Sequence, residues 1–171
     1  MTGRDDVESD MQQTDIESRP MTLIGRSDPA IQVVDSAYQI VTMIGANPRA
    51  IRPILAQRRI SKEQVLEAAD SLAQRAGTML AGMDSAEEQR RAQHERAITE
   101  LKDRIAAWQS EDTAGGDRRE QAPAEIARLQ AELDAADAAF TRFQAEQRGP
   151  RTYLSTLRER ADRVREVYQA L

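Results

Sequence analysis

Ser110–Ala122 reads SEDTAGGDRREQA, and the chain folds back on itself around this stretch. Gly115-Gly116 and the surrounding polar residues make it a turn. On both sides apolar residues recur at helical spacing. Upstream stand His94, Ile98, Leu101, Ile105 and Trp108; downstream stand Ile126, Leu129, Leu133, Ala136, Phe140 and Phe143. Alternating steps of three and four residues are the seam of a heptad repeat, which faces a partner helix. Two helices joined by a turn run antiparallel, so facing residues have position numbers of constant sum. Trp108/Ile126, Ile105/Leu129, Leu101/Leu133, Ile98/Ala136 and His94/Phe140 all sum to 234.

The pairing continues away from the turn. Met83, Met79, Ala76, Leu72, Ala69 and Val65 match Pro150, Leu154, Leu157, Ala161, Val164 and Tyr168, now with a sum of 233. One residue is therefore gained between Met83 and Glu87 relative to an unbroken heptad. Gly82 and Gly149–Pro150 stand at this level. Glycine weakens a helix interior and proline removes a donor and clashes with the preceding turn. The sequence predicts a joint here, absorbed by unwinding, a bulge or a break, with the hairpin bent relative to what lies below it.

Nearer the N-terminus, Ser27-Asp28-Pro29 is a helix start, with a capping side chain followed by proline. The helix runs to about Ile44 and stops at Gly45. Its apolar residues form two stripes, Ile31, Val34, Tyr38 and Val41 beside Val33, Ala37, Ile40 and Ile44. Such girth belongs to the central helix of a bundle, or to one that also meets another subunit. Asn47-Pro48 repeats the start, and a short helix to about Gln57 turns Ile51, Ile54 and Leu55 inward around an internal Pro53. Ser61 with Gln64 forms a capping box that opens the first hairpin arm. Residues 1–26 are polar and acidic and bury too little to offset ordering, so a disordered acidic arm is expected. Thr22–Ile24 has strand character but no mate nearby.

The predicted fold class is all-α. Residues 27–83 plus 149–171 form a helical bundle base, and 84–148 form a long protruding antiparallel coiled-coil hairpin with its tip at 110–122. Composition agrees: charged residues are 31% and aromatics 4% of a 171-residue chain, a helical rather than a sheet-like balance.

A net charge of −5 counts against a general nucleic-acid binder. The absence of cysteine excludes disulfides, and a single histidine leaves no histidine cluster for a metal, so no cofactor is expected. No apolar run approaches the roughly 20 residues that span a bilayer. The N-terminus lacks the basic start and apolar core of a signal peptide. The expected location is the cytoplasm, or a virion for a phage-derived chain. No nucleophile–base pair, inward carboxylate pair or phosphate loop can be assembled, so no enzymatic activity is expected.

Two sets of candidate residues remain. At the tip, Glu111, Asp112 and Asp117 stand beside Arg118 and Arg119, in a link longer than two helices need. Arg49, Arg52, Arg58 and Arg59 form the most basic stretch. The short helix, turn and new helix there resemble a helix-turn-helix outline, but the second helix would bring Glu63, Glu67 and Asp70 towards phosphates. Ala131, Ala135, Ala138 and Ala139 would let a neighbouring helix approach closely. His94 is either a pH-sensitive imidazole or a neutral seam residue with its nitrogens in water. Glu87 with Arg91, and Glu100 with Arg104, are spaced for ion pairs along the exposed face.

The expected function is that of a non-enzymatic interaction or scaffold protein. It presents its hairpin to protein partners or oligomerises as a subunit of a larger complex, such as a phage or secretion assembly. A regulator that inserts the acidic tip into a large enzyme such as RNA polymerase is an alternative by likeness of shape. A nucleic-acid binder through the four arginines is another.

Overall fold

The computed structural model describes residues 24–114 and 119–171, with only the backbone of 112–114. Four helices follow in order: α1 (Pro29–Ile44), α2 (Pro48–Arg58), α3 (Lys62–Ala114) and α4 (Ala122–Gln169). The fold is all-α, as expected, and α3 and α4 form a long hairpin.

The helix starts are those the sequence marks. The Asp28 carboxylate accepts from the Ala30 N–H at 2.9 Å, and the Asn47 side chain accepts from the Arg49 N–H at 3.0 Å. At α3 the capping box closes both ways: Gln64 N–H donates to Ser61 Oγ at 3.1 Å, and Ser61 N–H donates to Gln64 Oε1 at 3.0 Å. α1 ends at Gly45 with φ 74°, a conformation glycine adopts without strain. The turn is shorter than expected. α3 runs on through Ser110 to Ala114, and α4 begins at Ala122, so the stretch between the helices is residues 115–121.

The hairpin register is visible in side-chain pairs on both sides of the anticipated joint. Towards the tip, the His94 and Phe140 rings stack with centroids 4.6 Å apart. In the base, Asp70 and Arg165 each follow by one residue the seam pair Ala69/Val164, and they meet at 3.5 Å. Asp84 and Arg151 each follow Met83/Pro150 and also form an ion pair. These flanking positions face each other only if the seams align as the position sums require.

The joint itself differs from expectation. Both α3 and α4 are continuous helix through Gly82 and through Gly149–Pro150, without unwinding, bulge or break. The reason lies in the seam spacing. α4 keeps steps of three and four residues from Ile126 to Tyr168, while α3 takes eleven residues from Met83 to His94. Eleven residues in three turns is about 3.67 per turn, closer to the relaxed helix than the heptad's 3.5, so the extra residue fits inside an intact helix.

The core sits in the base. α1 packs against both α3 and α4, and α2 packs against α1. Val34, Ile51, Val65, Ala69, Leu72, Ala76, Leu154, Ala161, Val164 and Tyr168 are fully buried there. α1 thus uses both of its apolar stripes inside one chain, although Met43 is 80% exposed. Beyond Met83 no third helix joins among the described residues. Ile98, Leu101, Ile105, Trp108, Leu133, Ala136 and Phe140 are only half-buried, and Leu129 is buried. Full burial of a Val or Leu side chain is worth about 1.5–3 kcal/mol, so the base contributes most of the stability.

Polar contacts fix α1 on the hairpin. Asp28 takes two hydrogen bonds from the Arg75 guanidinium, at 2.5 and 3.2 Å. Arg160 pairs with Asp35 at 3.1 Å and lies over the Tyr38 ring. The Tyr153 hydroxyl donates to the Ile24 carbonyl at 3.0 Å, and Ile24 is buried in the core. The arm expected over 1–26 is therefore too long at its C-terminal end: Ile24 belongs to the base, because Tyr153 and the core hold it. Residues 1–23, including most of the strand-like Thr22–Ile24, lie outside the described residues. Of the two anticipated helix-surface pairs, Glu87–Arg91 forms at 3.4 Å. Glu100 and Arg104 form none among the described residues, because two exposed side chains gain little by holding one geometry. No helix among the described residues is long and apolar enough to cross a membrane.

Two outcomes are expected. Nothing lies within 4 Å of where a Cβ would stand on Gly82 or Gly149, and both are helical. Gly82→Ala and Gly149→Ala should each raise the unfolding free energy by about 0.5–1 kcal/mol, read as a higher urea midpoint at constant slope. The second concerns acid. Arg75's hydrogen bonds, helped by the Ala30 N–H and opposed by burial, hold the Asp28 carboxyl below its ordinary 3.8. A depressed folded value stabilises above the unfolded one, and that contribution disappears as pH falls through the folded value. Asp28→Asn keeps a good cap but removes the charge, so it should flatten the low-pH limb of melting temperature against pH.

Candidate functional site

At the hairpin tip, Glu111 lies half-buried on the last turn of α3, and Asp112 follows in the helical backbone. Arg119 stands exposed in the turn before α4, next to Glu120. Asp117 and Arg118 lie outside the described residues. The topology thus gathers Glu111, Asp112 and Arg119 at one end of the hairpin, far along α3 and α4 from the base.

The basic stretch is at the opposite end. Arg49 and Arg52 are exposed one turn apart on α2, and Arg58 and Arg59 end that helix. Arg52 donates to the Leu171 carbonyl, and Lys62 Nζ lies 3.5 Å from the Gln169 carbonyl. Arg58 is near enough to Tyr168 to oppose the rise that burial imposes on its hydroxyl pKa. These contacts have one physical cause. The end of a helix carries unsatisfied carbonyls and about half a negative charge, and the last turn of α4 has no basic residue of its own. Arg52 and Lys62 supply those cations from across the base. Arg49 and Arg59 make no such contact, and among the described residues neither has a carboxylate within 4.0 Å.

The helix-turn-helix outline presents the wrong charge for a groove-reading helix. Val65 and Ala69 are buried on the first turns of α3, and the residues left exposed there include Glu63, Glu67 and Asp70. Arg59 also does something the sequence did not indicate. It adopts φ 56°, its N–H donates to the Ala56 carbonyl at 3.2 Å, and the Ile60 N–H donates to Leu55 at 3.1 Å. This is a Schellman closure with arginine where glycine is usual.

Midway along the hairpin, the His94 ring lies nearly parallel to Phe140, at 9°, with Nε2 3.0 Å from Asp137 Oδ1. Its outer nitrogen meets a carboxylate rather than water alone. Asp137 is 56% exposed, so the contact is worth at most about 1 kcal/mol. Phe143 continues the aromatic layer, 6.5 Å from Phe140. At the eleven-residue step a charged cluster replaces the apolar seam: Arg151 bonds Asp84, and Glu87 at 2.9 Å, while Glu87 also meets Arg91. Asp84, first among these, holds the Arg151 guanidinium above its usual pKa. Sequence reasoning missed this cluster, though Arg151 follows a seam residue directly.

The outer face of α4 is distinctive. Ala124, Ala131, Ala138 and Ala145 recur every seven residues and all are exposed, with Ala127 and Ala135 beside them. At 3.6 residues per turn this column lies on the side of α4 turned away from the seam. Arg128 and Arg142 border it. No family model matches the chain, and neither a curated protein nor a solved structure is similar to it.

The left-handed Arg59 supplies a test of the basic stretch. A non-glycine residue there costs roughly 1 kcal/mol, so Arg59→Gly should stabilise the fold by up to about that amount in urea unfolding. A loss of stability instead would show that the Arg59 side chain contributes more than its backbone strain costs.

Proposed function

We propose that this protein is a non-enzymatic interaction protein whose hairpin, anchored by the helical base, offers the outer face of α4 to a helical partner, first of all a second copy of the chain. The observation that carries this reading is the end of the core at Met83 and Leu154: beyond it α3 and α4 have no third helix among the described residues, and an exposed alanine column runs along α4. Small side chains let helix backbones approach closely, and Arg128 and Arg142 beside the column offer hydrogen bonds at its rim. In a larger assembly the base would supply rigidity and the hairpin reach, since α3 is 53 residues and about 80 Å long.

The experiment is Ala131→Arg with Ala138→Arg. Arginine is a good helix former and both sites are exposed, so thermal unfolding of the isolated chain should change little. Sedimentation velocity of the purified chain should show self-association that this double variant abolishes. Association that survives the double variant, or a wild-type chain that stays monomeric at its highest soluble concentration, overturns the reading.

A further inference from the structure

The base carries a cluster of cations that the proposed hairpin function does not use. Arg49, Arg52 and Arg58 stand exposed on α2, Arg59 follows as its exposed cap, and Lys62 opens α3. Arg52 and Lys62 hydrogen-bond to carbonyl oxygens, which orients them without cancelling their charge. The acid closest in sequence is Glu63, which follows Lys62. None of the four arginines has an Asp or Glu side chain within 4.0 Å among the described residues; Arg52 alone is held, by the Leu171 main-chain oxygen.

The chain contains a complementary segment. Asp5, Asp6, Glu8, Asp10, Asp15 and Glu17 face only Arg4 and Arg19 within residues 1–23, so most of the net charge of −5 resides there. We propose that this acidic N-terminal segment docks within the same molecule on the arginine cluster of α2 and the start of α3. The tether permits it. The segment leaves the base at Ile24, which Tyr153 and the core hold, and α1 leads from there towards α2 over 16 residues, about 24 Å. An extended chain spans at most about 3.3–3.6 Å per residue. Glu8 and Asp10 therefore reach roughly 45–55 Å from Ile24, about twice the length of α1. Individual exposed ion pairs are weak, but a tether holds the acids near the cations at about millimolar effective concentration, where weak pairs suffice. Tethered carboxylates in turn shield the cluster from phosphate backbones.

The chain has no cysteine, so Met11→Cys gives a unique spin-label site in the full-length protein. The experiment measures paramagnetic broadening of backbone amides, with labelled protein diluted into unlabelled protein so that only intramolecular contacts register. At about 50 mM salt, amides of residues 49–62 should lose at least about half their intensity, recovering near 0.5 M salt as screening shortens. Arg49→Gln with Arg59→Gln, which touches neither helix-end contact, should reduce the broadening; retained circular dichroism and melting temperature show that this variant is folded. Broadening that is uniform, absent at low salt, unchanged by the double variant, or seen only between molecules overturns the proposal. So does duplex DNA binding at residues 49–62 by the intact chain at low salt, which would make the cluster a phosphate site.

Discussion

Each apolar layer between α3 and α4 requires its mate at a fixed place on the other helix, so a single register governs the whole hairpin. That register survives an extra residue in one helix only. A heptad seam asks a helix for 3.5 residues per turn, and the relaxed helix prefers 3.6. Eleven residues from Met83 to His94 let α3 relax past its preferred twist and return in phase with α4. Asp84, Glu87 and Arg151 occupy the layer this leaves without apolar side chains. They also specify alignment: sliding either helix by a turn would separate these charges and oppose them to apolar residues. These side chains keep contact with water, so each pair adds at most about 1 kcal/mol to that choice of register.

The two ends of the hairpin differ because, among the described residues, only one has a third helix. In the base, α1 lies in the groove between α3 and α4, and seam residues there reach zero exposure. Asp28 couples the local and the global here. The carboxylate that caps α1 also receives Arg75 from α3, so the residue that starts the helix fixes its position on the hairpin. Towards the tip the same heptads have water on both flanks, and their side chains stay half-buried. Local opening should therefore begin at the tip and progress towards Met83, since opening there exposes the least apolar surface.

How much of this was legible follows from the range of each interaction. Helix starts, caps and seam pairing rest on residues a few positions apart, or on periodicity, and could be read directly. The continuity of α3 and α4 through Gly82 and Gly149–Pro150 could not. Glycine and proline state that a helix is weak, while packing decides whether it persists, and Leu154 and Met83 are both buried beside the weak points. Ile24 looked like part of a polar arm because its partner, Tyr153, is remote in sequence. The left-handed Arg59 carried no glycine to announce it. Arg49, Arg52, Arg58 and Arg59 read as one basic stretch, because the main-chain oxygen that holds Arg52 belongs to Leu171, remote in sequence.

The alanines of α4 admit a plain explanation that must be weighed against the functional one. Alanine is the best helix former, and a two-stranded hairpin without a third helix needs propensity to stay helical. Propensity alone has no reason to prefer one face, because every exposed position contributes equally to it. In α4 the exposed positions off the column carry Glu132, Asp134, Asp137 and Glu146 as well as Ala127, Ala135 and Ala139, whereas the column itself, Ala124, Ala131, Ala138 and Ala145, holds alanine at every heptad step. A heptad interval is the period at which a second helix, wound with the first, meets the same face again. Helix propensity explains why these residues are alanine rather than serine. It does not explain their period, which is what a partner lying along the hairpin would impose.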